Sequence, residues 1–126
     1  KRALDEKKTY DTWQQGFLQI LEAVQANKPF IMNVYRSVSK EQIESYLYKL
    51  TFELIEGVVN EKAEGTGLPE KDKRFIADFY KYGFVGVMLD WIKDGMQEDY
   101  STIVKKMSLT LHGNISNSIG NFLDEG

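Results

Sequence analysis

At 126 residues with 42% apolar and 13% aromatic side chains, the chain has the length of one domain and the material for a real core, which excludes a disordered segment. It has no cysteine, so disulfides, thiolate catalysis and cysteine metal sites fall away together, in keeping with a reducing, cytoplasmic setting. Sixteen basic against nineteen acidic residues leave a net charge of −3, without the basic face that a nucleic-acid-binding domain normally carries.

The opening Lys1-Arg2-Ala3-Leu4-Asp5-Glu6-Lys7-Lys8 lacks the apolar core of a signal peptide and does not begin with methionine, so the chain reads as part of something longer. Tyr10, Trp13, Phe17, Ile20, Leu21 and Val24 then recur at helical spacing, predicting an amphipathic helix over about 9–27. Pro29 suits the first turn of a short second helix over 30–36, since its missing N–H would be unpaired there anyway. Ser39 followed by Gln42 reads as a capping box for a third helix over about 40–64. There Ile43, Tyr46, Leu47, Leu50, Leu54 and Val58 make one apolar stripe, with Tyr48, Phe52, Ile55 and Val59 beside it. Gly65-Thr66-Gly67-Leu68-Pro69 is the clearest break in the chain.

A fourth helix over about 70–95 is the predicted central post. Its middle, Gly83 to Leu89, is apolar on every side, so it needs neighbours all round, yet it is far shorter than the roughly 20 apolar residues that span a bilayer. Phe75, Phe79, Gly83 and Gly86 fall within about 80° of one another on the wheel. Two mid-helix glycines are unfavourable by about 1 kcal/mol each relative to alanine, which predicts a seam where another helix crosses closely. Lys93-Asp94-Gly95 closes this helix. After a turn at 97–101, Ile103, Met107, Leu111, Ile115 and Ile119 follow at intervals of four and predict one fifth helix, whose second half is rich in small residues and poor in helix formers. No long period-two alternation predicts a strand. The expected fold is an all-α five-helix bundle.

Enzyme chemistry is not expected. The single histidine, His112, sits among small polar residues, no nucleophile is spaced beside a base, and the carboxylates lie at helical spacing near lysines as on a solvated face. Gly83-Phe84-Val85-Gly86 lacks the strand, third glycine and lysine of a phosphate loop. No cofactor or metal is expected. The aromatic side chains are more numerous than core shape alone requires and could line a cavity between helices. Trp13, Phe17, Tyr46 and Phe79 are the expected ligand-facing wall, bounded by helix one, helix three and the first half of helix four; a solid core is the alternative.

The order of elements, with Phe79-x3-Gly83-x2-Gly86-x4-Trp91-x3-Gly95-Met96 as its most specific stretch, resembles the C-terminal regulatory domain of TetR-family transcriptional repressors, in particular the branch of regulators of dihydroxyacetone kinase operons. The resemblance runs from about Trp13 to Phe122. It implies one effector-binding and dimerisation domain over 1–126, to which a DNA-binding helix-turn-helix head, absent here, is joined in the parent protein. It also implies a homodimer in which the last two helices form a four-helix interface with their twofold mates; Gly83, Phe84, Gly86, Met107, Leu111, Ile115, Ser118 and Ile119 are the expected contact residues. The effector would be a small molecule or, as in some members of that branch, a protein, and DNA would be reached only through the head. No membrane partner is implied. A free-standing helical module that binds a protein or peptide is the competing expectation.

Overall fold

The computed structural model describes residues 2–37 and 39–125, with side chains from Trp13 onward. Among these residues the fold is all-helical, in six helices: α1 (Arg2–Ala26), α2 (Lys28–Tyr35), α3 (Lys40–Ala63), α4 (Glu70–Lys93), α5 (Tyr100–Leu111) and α6 (Asn114–Glu125).

The breaks lie where backbone chemistry puts them. Gly65 and Gly67 both take positive φ, +80° and +79°, and the buried Leu68 anchors the loop between α3 and α4. Past α4, the Met96 N–H donates to the Trp91 carbonyl at 2.8 Å and the Gly95 N–H to Ile92 at 2.9 Å, with Gly95 at φ +79°, the Schellman arrangement that a left-handed glycine allows. Ser39 does stand at the start of α3, but its side chain makes no capping bond; the Gln42 N–H reaches the Ser39 carbonyl instead, at 3.0 Å.

The expected fifth helix is two helices. His112 is extended (ψ 115°) and Gly113 sits at φ +73°, so the chain turns between Leu111 and Asn114. The four-residue apolar stripe therefore does not run on along one axis. Instead α6 folds back onto α3 and α4, bringing Ile115 and Ile119 into the core and Phe122 against Phe75 at a ring separation of 6.4 Å.

The core gathers Trp13, Phe17 and Leu21 of α1, Leu47, Ile55 and Val59 of α3, and Phe84, Val85, Met88 and Ile92 of α4. Each such side chain contributes roughly 1.5–3 kcal/mol by leaving water. α3 and α4 form the most extensive helix pair. α1 meets α3 at Gly16, where a methyl group would overlap Leu54 Cδ1, the tip of a half-buried side chain. Thr51 is fully buried and its hydroxyl has no partner, an uncompensated polar atom in the core.

Candidate functional site: an open groove between α4 and α5

The middle of α4 is apolar all round, yet the chain covers only part of it. Phe84, Val85 and Met88 are buried, whereas Gly83 and Gly86 are exposed and Val87 keeps 38% of its surface. Continuing that uncovered stripe toward the helix start, Tyr82, Phe79 and Phe75 are 58, 66 and 62% exposed. A Cβ built on Gly83 or Gly86 would meet nothing within 4 Å. The two glycines therefore mark no crossing inside this chain.

The Phe79, Tyr82, Gly83 and Val87 part of this face is one wall of a groove of about 1080 Å³, open to solvent, whose other wall is α5. Phe84, Trp91, Ile103 and Met107 provide its apolar floor and sides; Asp90, Asp94, Glu98, Lys106 and Thr110 stand among its polar residues. The groove exists because α5 packs on α1 rather than on α4. Gln14 bonds Ser108, Gln25 Nε2 donates to the Met96 carbonyl at 3.4 Å, and Tyr100 OH reaches Glu22 at 3.5 Å. Burial, followed by the Glu22 charge, pushes the Tyr100 phenol above its ordinary range.

Its ends are tied. At the α4–α5 turn the Trp91 indole N–H donates to the Glu98 carbonyl at 2.8 Å, and Lys106 pairs with the Glu98 carboxylate at 2.9 Å. At the opposite end Tyr80 OH donates to the Asn114 carbonyl at 3.3 Å and lies 2.9 Å from Ser118 Oγ. Asp99 opens α5, and the hydrogen bond from Ser101 Oγ holds its carboxyl below the ordinary range. Outside the groove, Lys81 lies over the rings of Tyr82 (4.4 Å), Phe52 (5.6 Å) and Tyr48 (5.9 Å) and pairs with Asp78 at 3.0 Å, which fixes Tyr82 from behind.

The four residues expected on a ligand wall are not gathered on one surface. Trp13 and Phe17 pack edge-on against Phe84, at 4.9 and 5.1 Å between ring centres, inside the core. Tyr46 is 57% exposed on α3, and Phe79 lies on the open face of α4. Of the expected dimer contacts, Gly83, Phe84, Met107 and Leu111 line the groove and Gly86 is exposed on the same helix. Ile115 and Ile119 are buried within the chain and Ser118 is bonded to Tyr80, because the break at Gly113 directs α6 inward. Tyr82 and Trp91, which belong to the aromatic set that could line a cavity, line the groove, and Val87, Asp90 and Lys106 line it without having been singled out. Among the described residues no group of three His, Asp or Glu side chains could hold a metal. No described helix is long and apolar enough to cross a membrane.

Comparison with known proteins adds one match: residues 11–113 fit a family described as transcriptional regulator C-terminal region, of the TetR type. Neither the curated proteins nor the solved structures yield a significant match. The matched span covers most of the chain and ends at Gly113, between α5 and α6. The chain thus belongs to the TetR-type family of transcriptional regulator C-terminal regions, a regulatory and non-enzymatic family.

Proposed function

We propose that this chain is the effector-responsive dimerisation domain of a cytoplasmic TetR-type repressor, and that a second copy docks in the α4–α5 groove. The carrying observation is the half-covered post: a helix centre apolar on all sides whose glycine face, Gly83 and Gly86, meets nothing inside its own chain. The exposed Phe79, Tyr82 and Val87 beside it are large apolar groups of the kind that anchor an interface. In a twofold pairing each α4 would present its glycine face to the other, where the absence of side chains permits close approach. DNA is contacted only by the helix-turn-helix head of the parent protein. An effector acts through its different affinity for two dimer geometries, one of which spaces the heads for successive major grooves.

The expected aromatic wall enters this reading in two parts. Phe79 belongs to the dimer groove, while Trp13 and Phe17 form a packed aromatic core that a small effector would have to open. That packing favours a second reading in which the effector is a protein acting from the surface, where Tyr46 stands exposed. Val87→Glu places a carboxylate beside Asp90 and Asp94 on the groove wall. Sedimentation equilibrium should find a dimer for the native chain and a monomer for this variant; an unchanged dimer would remove the groove from the interface.

A further inference from the structure

We infer that the α4–α5 groove also docks a basic amphipathic helix of another protein, which competes there with the second copy. The charges on the groove walls do not balance. Asp90, Asp94 and Glu98 face one lysine, Lys106, and Lys106 already pairs with Glu98 at 2.9 Å. Asp90 and Asp94 pair with no described cation; the exposed Lys93, between them in sequence, makes no ion pair with either. Gly83, Val87, Asp90 and Asp94 follow one another at intervals of four, three and four, so the two carboxylates continue the glycine stripe on the same helix face. That face is apolar in its middle and acidic toward the α4–α5 turn.

Self-association leaves this imbalance in place. A twofold interface is isologous, so a second copy brings the same Asp90 and Asp94, on a chain whose net charge is −3. A helix with lysine or arginine flanking an apolar face supplies the cations that the copy lacks, in the helix-in-groove mode of recognition. The dimensions suit such a segment. From Phe79 to Asp94 the α4 wall runs about 23 Å at 1.5 Å per residue, the length of a helix of about 16 residues. A Cβ built on Gly83 meets nothing within 4 Å, so a backbone can come close at mid-groove, above the floor of Phe84, Ile103 and Met107. Given the groove as the place where a second copy docks, a basic helix seated in it excludes that copy and so controls whether the domain is paired.

A designed peptide tests this: an amphipathic helix of about 16 residues with leucine on one face and lysine on its flanks, beside a twin with glutamate in place of every lysine. Sedimentation velocity with labelled peptide should show the lysine peptide converting the dimer into a complex of one chain with one peptide, and the glutamate twin should not bind. Asp90→Asn combined with Asp94→Asn should weaken lysine-peptide binding about fivefold or more, since two rim ion pairs contribute a few-fold each, and should tighten the chain's own dimer. Equal binding of the twin, an affinity that the double variant leaves unaltered, or a complex in which the dimer persists overturns the proposal. A chain that sediments as a monomer without peptide would defeat the dimer reading, whereas a one-to-one complex that still loses affinity in the double variant would leave the basic-helix site standing.

Discussion

Gly86→Leu separates the fold of one chain from the association of two, because the substitution should act with opposite sign on each. Within the chain a Cβ at Gly86 meets nothing within 4 Å, so leucine has room. Removing a helix-interior glycine should then stabilise the isolated fold by about 1 kcal/mol. With a urea slope of about 2 kcal/mol per molar, the midpoint should rise by about 0.5 M. At the interface the same side chain occupies the space a partner helix needs, and overpacking should weaken the dimer by about 1–3 kcal/mol, or about 5- to 150-fold in Kd. A twofold interface carries the substitution twice, which favours the upper part of that range. Urea unfolding should be followed at a concentration where the chain is monomeric, since dimerisation itself adds stability, and Kd by a sedimentation-velocity dilution series. Gly16→Val is the contrasting control: its side chain must displace Leu54, and it should lose about 1–3 kcal/mol of stability. If Gly86→Leu loses stability in the dilute monomer as Gly16→Val does, or leaves Kd unaltered, the exposed glycine face is not the seam between copies.

Phe84→Ala should destabilise the chain by about 3–5 kcal/mol, as expected for a buried ring holding Trp13 and Phe17, while the exposed Phe79→Ala should change chemical-denaturation stability by no more than about 0.5 kcal/mol and still weaken dimerisation. Thr51→Val removes a buried hydroxyl that has no partner and keeps its shape, so thermal unfolding should show a gain of about 1 kcal/mol; a loss would reveal a bond to Thr51 Oγ1. Asp99 has a folded-state pKa held below its unfolded value, chiefly by Ser101. Its contribution is therefore present above the ordinary aspartate range and lost as pH falls through the lowered one, and Asp99→Asn should flatten the acid limb of a stability–pH profile.

Elements that depend on local backbone chemistry were legible in the order of residues. Pro29, the Gly65–Pro69 break and the Gly95 terminus bound the helices because proline removes a donor and glycine takes left-handed φ wherever the chain later goes. The all-round apolar centre of α4 was equally legible, since the unbroken apolar run from Gly83 to Leu89 covers every side of a helix. Tertiary structure decided which sides of that centre are covered. Phe79 and Tyr46 share helix stripes with core residues, yet they stand exposed because no neighbouring helix covers them, and Gly83 lines a groove only because α5 leans on α1. The turn at His112–Gly113 was the least legible feature. A helix can continue through such residues at a modest energetic penalty, and the burial of Ile115 and Ile119 against α3 and α4 rewards the break, a contact between residues distant in sequence that periodicity cannot express.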